Sequence, residues 1–256
     1  MSGHKIKLAL VLGLLSSMLL ATEREALATE RQAFASERQW EATSPSHQVQ
    51  VVELYTSQGC HSCPPADAWL AQFESKDPDF TQVLPLAFHV TYWDALGWRD
   101  PFGQKSFDLR QRALARSQRT GVYTPGVFVN GQEWRLWRSG QSPVGESHAP
   151  GRLSFRGGEG AETEFRYEPT TAAKEKYVLH TAFLLPPQRT PVPRGENKGK
   201  ELKESFVVSS LRSFSMDCVE TCNVKAELAP SEDAGVIAAW VTTQDGEYLQ
   251  ATATYL

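Results

Sequence analysis

The sequence predicts an α/β domain followed by a smaller, mostly β domain of the sandwich type. Runs typical of strands alternate with helical runs between residues 49 and 140, which defines the first domain. From residue 161 to residue 256 the helical period disappears, and short alternating runs predict an antiparallel β domain. Residues 141–160 are rich in Gly, Ser and Pro, which predicts a loop at the domain boundary.

Composition excludes several classes of protein. The chain has 256 residues, of which 41% are hydrophobic and 22% charged, enough for two modest cores. This balance rules out a collagen, a coiled-coil rod and a multi-span membrane protein. The net charge of −4 lacks the basic excess that gives proteins affinity for nucleic acids, so we expect no nucleic-acid partner.

The N-terminus predicts export. Lys5 and Lys7 precede an apolar run, residues 8–20, that is shorter than the ~20 residues a helix needs to cross the hydrocarbon core. A small-x-small cleavage sequence ends at Ala28. Residues 1–28 are therefore predicted to be a cleaved signal peptide, and the mature protein to be periplasmic or secreted.

A charged leader and linker is predicted over residues 29–48. A Glu-Arg pair recurs every seven residues from Glu23 to Arg38. The repeat permits a second interpretation, in which one continuous helix runs from residue 8 to about Trp40. Such a helix would attach the protein to the membrane if cleavage failed.

The first domain begins with a strand and a helix. Residues 49–55 are rich in β-formers and end at a polar Thr-Ser-Gln-Gly sequence, which predicts a strand. Pro64 and Pro65 are tolerated in a first helical turn, where the missing N–H would be unpaired in any residue, so a helix is predicted to begin there. Asp77 and Pro78 are predicted to end it.

Two further strands and one helix complete the first domain. Residues 82–90 predict a strand, and residues 106–119 predict a basic amphipathic helix. Residues 127–129 predict the next strand. Asn-Gly at residues 130–131 is a strong hairpin signal, so a partner strand is predicted at residues 133–137.

The second domain is predicted to consist of short strands. The turn signals between them include Pro186-Pro187 and residues 194–197. Alternating runs predict six strands, at residues 162–167, 176–185, 205–211, 223–228, 236–242 and 248–255.

The four cysteines form two close pairs, and the first pair predicts redox chemistry. Cys60 and Cys63 lie between a predicted strand and a helix N-terminus, where free N–H groups and the helix dipole stabilise a thiolate. Cys60 is predicted to be an exposed nucleophile, His61 to add positive charge, and Cys63, one turn into the helix, to resolve a mixed disulfide. This pattern is typical of an enzyme that acts on protein thiols and disulfides.

Other interpretations of the cysteines remain open. Cys60 and Cys63 would also fit half of a zinc site that Cys218 and Cys222 complete, or a purely structural disulfide. Cys218 and Cys222 are predicted to form a local disulfide in the second domain. A role in passing electrons to or from the first pair is the alternative.

A proline about 60 residues after the first cysteine pair supports the redox interpretation. Thr124 and Pro125 enter a predicted strand. In thioredoxin-like folds a similar pair carries a cis peptide bond beside the dithiol and leaves the backbone free to bind an extended substrate. Thr124 and Pro125 are therefore predicted to bind substrate. The alternative is an ordinary turn proline at a strand edge.

The loop after the second strand is rich in aromatic and ionisable residues. His89 and Asp94 are predicted to approach Cys60, where they would adjust a thiolate pKa or pass a proton. Trp93 and Trp98 would form the wall of the site. The alternative is that the aromatic residues belong to the core and Asp94 caps a turn.

Three ordered motifs resemble a secreted protein family catalogued as domain of unknown function 1223 (DUF1223). They are the Cys60-x-x-Cys63-Pro-Pro-Ala-Asp segment with its preceding strand, the block from His89 to Phe102, and Val122 to Pro125; residues 194–199 and 239–256 match more weakly. The resemblance implies membership of the thioredoxin-like superfamily and redox activity, without implying a substrate. This chain departs from the family at His61, where Ser is usual, and at Thr91, where Asp is usual, and the Cys218 pair is extra.

These observations predict an exported thiol–disulfide oxidoreductase that uses protein substrates and a separate redox partner. No cofactor is expected, because the sequence has no phosphate-binding loop, metalloprotease motif or nucleophile elbow. The alternative is a non-catalytic periplasmic binding or chaperone-like module. Its cysteines would form a structural disulfide or hold a metal.

Overall fold

The protein is mostly β. The computed structural model describes residues 38–143, 151–171, 176–218 and 221–256, and strands account for 44% and helices for 16% of the structure. The predicted α/β, thioredoxin-like class is therefore wrong for this chain. The error has a simple origin: of the fourteen strands in the described segments, ten lie outside residues 49–140, the stretch whose alternation suggested that class.

The elements are numbered in chain order. The α-helices are α1 (Pro64–Ala71), α2 (Phe73–Lys76) and α3 (Lys105–Ser117). The strands are β1 (Gln39–Thr43), β2 (Gln50–Thr56), β3 (Val83–His89), β4 (Gly126–Val129), β5 (Gln132–Glu133), β6 (Gly151–Gly158), β7 (Glu162–Pro169), β8 (Lys176–Leu184), β9 (Gln188–Pro191), β10 (Glu201–Glu204), β11 (Val208–Asp217), β12 (Cys222–Glu227), β13 (Val236–Thr243) and β14 (Tyr248–Tyr255).

One four-stranded sheet, in the order β3-β2-β4-β5, positions the first cysteine pair. Strands β2 and β3 are parallel, whereas β4 is antiparallel to β2 and pairs Gly126 with Tyr55. The ends of β2 and β3 and the start of β4 therefore lie at the same edge of the sheet. The loop that carries Cys60, the loop after His89 and the segment before Gly126 all leave the sheet there.

The hairpin after β4 is confirmed, but its second strand is shorter than predicted. Asn130 and Gly131 both have positive φ, which is the geometry of a type I′ turn. Strand β5 covers only Gln132–Glu133. A 3₁₀-helix over Leu136–Ser139 replaces the rest of the predicted strand and buries Trp137.

Two regions predicted as linkers are strands. β1 lies in the predicted leader, residues 29–48, and pairs with β6, which lies entirely in the predicted boundary loop, residues 141–160. Trp40 explains why: its side chain is 2% exposed, and its indole N–H donates to Thr163 Oγ1 at 3.0 Å. The predicted signal peptide, residues 1–28, lies outside the described residues.

The β-rich part contains two four-stranded antiparallel sheets and one two-stranded sheet. The larger sheets have the orders β1-β6-β7-β12 and β11-β8-β13-β14, and β9 pairs with β10. Strand β13 is buried on both faces. Val236, Ala238 and Trp240 join one hydrophobic core, and the residues between them, Ile237 and Ala239, join the other.

The core that contains the cysteine-bearing sheet therefore continues into the β-rich part. It unites β2, β3 and α1 with residues of β8, β13 and β14, so no packing boundary separates residues 49–140 from the strands that follow. A buried polar network reinforces this contact: Arg110 Nη2 lies 2.6 Å from Glu53 Oε1, and the hydroxyls of Tyr55 and Tyr248 also donate to Glu53.

None of the helices in the described segments is both long enough and apolar enough to cross a membrane. The longest, α3, has 13 residues and buries Phe107 and Ala115 on the side that faces the sheet.

Candidate functional site

All four cysteines form disulfides, in the two predicted pairs. Cys60 and Cys63 are joined with their Cα atoms 5.4 Å apart, and Cys218 is joined to Cys222. Cys60 lies in the turn before α1. Cys63 is the N-cap of that helix, so the prediction that it lies one turn inside the helix is wrong; Pro64 and Pro65 occupy the first two helical positions instead.

Neither cysteine of the first pair is exposed. Cys60 and Cys63 each have 0% of their surface accessible to solvent. The prediction that Cys60 is exposed is therefore wrong for the disulfide form. The side chains that cover this region come from loops distant in the sequence, which is why a local pattern could not reveal them.

The loop between β9 and β10 covers the Cys60 turn. Asn197, itself fully buried, donates from Nδ2 to the carbonyl oxygens of Gln58 at 2.9 Å and of Cys60 at 3.0 Å. The backbone N–H of His61 donates to Glu196 Oε2 at 3.1 Å. The His61 side chain is exposed, so this residue faces solvent at the rim of the site.

Trp93 and Thr124 lie against the other side of the same turn. A Cβ atom at Gly59 would lie 3.0 Å from the Cβ of Trp93, so only glycine allows this close approach. The indole N–H of Trp93 donates to Thr124 Oγ1 at 2.7 Å, and the Thr124–Pro125 peptide bond is cis. The structure thus places Trp93 against the residue that precedes Cys60, and the indole of Trp93 links Thr124 to the turn.

A buried hydrogen-bond network lies behind the turn. His89 Nδ1 is 2.8 Å from Asp100 Oδ2, and the same oxygen accepts the backbone N–H of Gln58 at 2.8 Å. The Gln58 side chain donates to Glu204 Oε1 at 3.0 Å and accepts from the indole of Trp98 at 3.0 Å. This network ties the Cys60 turn to β3, to the following loop and to β10.

The ionisable groups of this network have shifted pKa values. Burial alone would lower the pKa of His89, but the Asp100 carboxylate outweighs it and raises that pKa. Burial would raise the pKa of Asp100, and the contact with His89 reverses this and lowers it. Burial raises the pKa of Glu204 despite the attraction of His89. These shifts favour a protonated His89 paired with an ionised Asp100.

Asp67 lies on α1, one turn after Cys63, and its backbone N–H donates to the Cys63 carbonyl at 3.2 Å. Burial raises the pKa of Asp67 to about 7, although the positive charge of His89 opposes the shift. Groups that titrate near neutral pH are suited to proton transfer. Asp67 therefore joins the site as a candidate proton donor or acceptor.

Asp94 is linked to the network only through the backbone. Its Oδ1 accepts the N–H of Asp100 at 3.1 Å, and partial burial raises its pKa. Asp94 therefore shapes the loop that carries Asp100, and no direct contact joins it to Cys60. Two side-chain atoms of the network, Nε2 of His89 and Oε2 of Glu204, are buried without a hydrogen-bond partner among the described residues.

The second disulfide lies in another part of the molecule. Cys218 follows β11, Cys222 begins β12, and both residues pack in the core between the two large antiparallel sheets. This arrangement confirms the predicted local disulfide. Within the described segments, no group of three or more His, Cys, Asp or Glu side chains is placed to hold a metal ion.

Sequence reasoning missed five residues of the site: Gln58, Asp67, Asp100, Asn197 and Glu204. Asp67 and Asp100 stand inside the motifs that carry the family resemblance, and Asn197 lies in the weaker Arg-Gly-Glu-Asn match. The motifs mark these three positions in the sequence, but they do not indicate what the side chains do. Nothing in the sequence around Glu204 marks it.

A comparison with family models matches residues 51–242 to the model described as a protein of unknown function (DUF1223). The match includes both cysteine pairs, the loop with Trp93 and the loop with Asn197. No curated protein matches the chain.

Two solved structures are similar over most of the chain. A crystal structure of an Agrobacterium tumefaciens protein is 26% identical, with a TM-score of 0.59, and the alignment covers 83% of this chain and 96% of that one. HBP35 of Porphyromonas gingivalis is 12% identical, with a TM-score of 0.55, and the alignment covers 83% of this chain and 76% of that one. The second likeness concerns the fold alone.

Proposed function

This chain belongs to the DUF1223 protein family, and from that premise we propose that it is a thiol–disulfide oxidoreductase. It exchanges its Cys60–Cys63 disulfide with the thiols and disulfides of other proteins. The observation that carries the proposal is the position of this disulfide: it spans the turn before a helix, beside Asp67, His89 and Asp100, whose ionisation is linked. A bond needed only for stability does not require such neighbours.

The exchange proceeds through a mixed disulfide. A substrate thiolate attacks Cys60 Sγ, a new S–S bond forms, and the Cys60–Cys63 bond breaks with its electron pair going to Cys63. A second substrate thiolate then attacks the substrate sulfur of the mixed disulfide and releases Cys60. The substrate dithiol is oxidised to a disulfide, and the protein pair is reduced. The same steps in reverse reduce a substrate disulfide.

The local geometry supports Cys60 as the attacked sulfur. It lies outside the helix, and Ser62 Oγ, 3.5 Å from Cys60 Sγ, is placed to donate a hydrogen bond to a thiolate there. Cys63, as the N-cap, lies at the positive end of the α1 dipole, which stabilises it as a leaving thiolate.

Protons must accompany the electrons, because a fully reduced pair holds two S–H groups. Asp67 supplies or accepts a proton near Cys63, since its pKa is about 7. His89 acts indirectly. Its positive charge stabilises the anionic form of Asp67, and its partner Asp100 accepts the backbone N–H of Gln58. Thr124 and Pro125 contribute to the substrate-binding surface at the same edge of the sheet.

The cellular location is consistent with this chemistry. Two disulfides indicate an oxidising, extracytoplasmic environment. We propose that the signal peptide at residues 1–28 directs export, and that a separate redox partner restores the Cys60–Cys63 pair after each exchange.

A glutathione redox titration tests the proposal. The purified protein is equilibrated across the series, alkylated and analysed by mass for each cysteine pair. We expect Cys60 and Cys63 to titrate reversibly at a potential clearly above about −300 mV, and Cys218 and Cys222 to stay oxidised as an internal control. The proposal would be overturned if the Cys60–Cys63 disulfide stayed oxidised at potentials below about −300 mV.

That outcome would favour the second candidate function, a binding module with a structural disulfide. The specific observation in its favour is the complete burial of Cys60 and Cys63. The two functions therefore differ in whether the residues that bury Cys60 move aside and expose it.

A further inference from the structure

The loop between β9 and β10, residues 192–200, is called here the cover loop. It lies against the Cys60 turn through polar contacts with the backbone. Three backbone atoms of the turn are engaged: the carbonyl oxygens of Gln58 and Cys60 accept from Asn197, and the N–H of His61 donates to Glu196. All three belong to the turn that carries the disulfide.

A polypeptide backbone carries the same kinds of donor and acceptor as these contacts. Asn197 Nδ2 donates to both the Gln58 and the Cys60 carbonyl, so one backbone N–H of a bound chain would take its place, and a backbone C=O would accept from His61. The cover loop satisfies the same atoms with an amide and a carboxylate side chain. The three backbone atoms that a bound chain would contact are thus paired within the protein itself.

We propose that the cover loop is an intramolecular substitute for the substrate, a proposal that rests on the function proposed above. An extended polypeptide segment that flanks a cysteine displaces Asn197 and Glu196, takes over their hydrogen bonds to the turn and gives its sulfur access to Cys60. The disulfide is therefore protected from indiscriminate thiols and reacts with ligands that open the loop.

The loop is built so that it opens without disturbing the large sheets. Its ends are joined to each other, with Gly199 N–H donating to the Val192 carbonyl at 2.7 Å and Val192 N–H donating to the Lys200 carbonyl at 2.9 Å. The strands that carry it form a separate two-stranded sheet. Strand β10 also packs against α1, with Leu202 and Glu204 buried, so the opening is confined to the tip of the loop.

The contacts that hold the loop closed are few. Between the tip and the turn they include the Asn197 and Glu196 hydrogen bonds, together with the approach of Gly195 to Trp98, where an added Cβ would lie 3.0 Å from the Trp98 Cβ. Lys200 Nζ also donates to Asn197 Oδ1 at 2.9 Å, which orients the amide so that Nδ2 faces the turn.

The test measures how fast a phosphine reductant, TCEP, reduces the Cys60–Cys63 disulfide in the full protein. Asn197→Ala removes two hydrogen bonds, and Glu196→Ala removes one that involves an exposed side chain. We expect rates about fivefold to thirtyfold higher for Asn197→Ala and about fivefold higher for Glu196→Ala, because the loop opens more often. Lys198→Ala, at an exposed position of the same loop, is the matched control and should leave the rate unchanged.

A second arm measures exchange with a linear peptide that carries a Cys-x-x-Cys dithiol. Both variants should lower the KM for this peptide, because a larger fraction of the protein is already open, and change kcat less. Unchanged TCEP rates in both variants would overturn the inference while leaving exchange by the wild type, and hence the proposed function, intact. Faster TCEP reduction with no peptide exchange in any variant would overturn both.

Discussion

Burial disfavours the charged form of the Asp67 carboxyl group, and this residue is where pH acts most directly on the site. Its pKa of about 7 lies above the value of 3.8 expected in the unfolded chain. The folded protein therefore holds this proton more tightly than the unfolded chain, and the corresponding stability is present below pH 4 and lost as the pH rises toward 7. Under the proposed function, reactivity and stability are thus linked at one side chain.

Asp67→Asn should make stability less dependent on pH. Between pH 4 and pH 8, the unfolding free energy of the variant should gain roughly 2 kcal/mol relative to that of the wild type. This figure allows for solvent screening at a half-buried group. Urea unfolding at both pH values measures it. The exchange rate should also lose its inflection near pH 7; a variant that keeps the wild-type pH profile would remove Asp67 from the mechanism.

We expect the sulfur of Cys60, and not that of Cys63, to form the mixed disulfide with substrate proteins. Cys63→Ser leaves Cys60 free to form a mixed disulfide that nothing resolves, so it should accumulate covalent complexes with substrate proteins. Cys60→Ser should accumulate far fewer. Non-reducing gel electrophoresis followed by mass spectrometry measures both. Equal yields from the two variants would contradict the assignment of Cys60 as the attacked sulfur, and Cys218→Ser serves as a control outside the site.

At the scale of elements, an aromatic side chain attaches β1 to the rest of the fold. The Trp40 side chain packs against Phe183 of β8. The centroids of the Trp40 and Phe183 rings lie 6.3 Å apart, in an edge-to-face arrangement. Strand β1 contributes an aromatic side chain to the second core, although it lies in the stretch predicted as a charged leader. Residues 39–43 are therefore part of the fold.

Trp40→Ala should destabilise the protein by about 3–5 kcal/mol, because it removes a large buried ring and leaves Thr163 without the indole donor. Equilibrium unfolding in urea gives the difference. Glu41→Ala is the control on the same strand: its carboxylate is 60% exposed and pairs with an exposed Arg156, so its loss should cost less than about 1 kcal/mol. A similar small cost for Trp40→Ala would mean that β1 is dispensable.

The elements that could be predicted are those with a local pattern. β13 and β14 were predicted at nearly their full length, because their side chains follow a strand period and are bounded by turn signals. β1 and β6 escaped prediction because they stabilise each other across more than 100 residues. The same distinction holds in the site: the Cys60 pair and the Thr124–Pro125 bond have local signatures, whereas the contacts of Asn197 and Glu204 arise only in the folded chain.

At the scale of the whole molecule, one buried charge network holds the cysteine-bearing sheet against the β-rich part. Arg110 on α3 pairs with Glu53 on β2, and Tyr248 on β14 donates to the same carboxylate. Burial would raise the pKa of Glu53, but Arg110 outweighs it and lowers that pKa. The network and the continuous core predict that both parts unfold together.

Arg110→Met should destabilise the whole protein by about 3–5 kcal/mol at pH 7, because Glu53 then keeps a buried charge without its partner. A lowered carboxyl pKa contributes stability above pH 4.5 and loses it as the pH falls, so the cost should shrink toward acid pH. Thermal unfolding followed by tryptophan fluorescence and by circular dichroism should give one shared transition. Arg156→Met, at an exposed pair, should change little, and two separate transitions would contradict a shared core.

The distance along the chain between the disulfide and its cover also sets an order of events during synthesis. The Asn197 amide that closes over Cys60 lies 137 residues downstream. At elongation rates of about 5–20 residues per second, the cysteine pair exists for about 7–27 seconds before its cover has been made. Until then no contact with Asn197 holds the turn, so under the proposed function the first oxidation of Cys60 and Cys63 does not require the loop to open, unlike every later turnover.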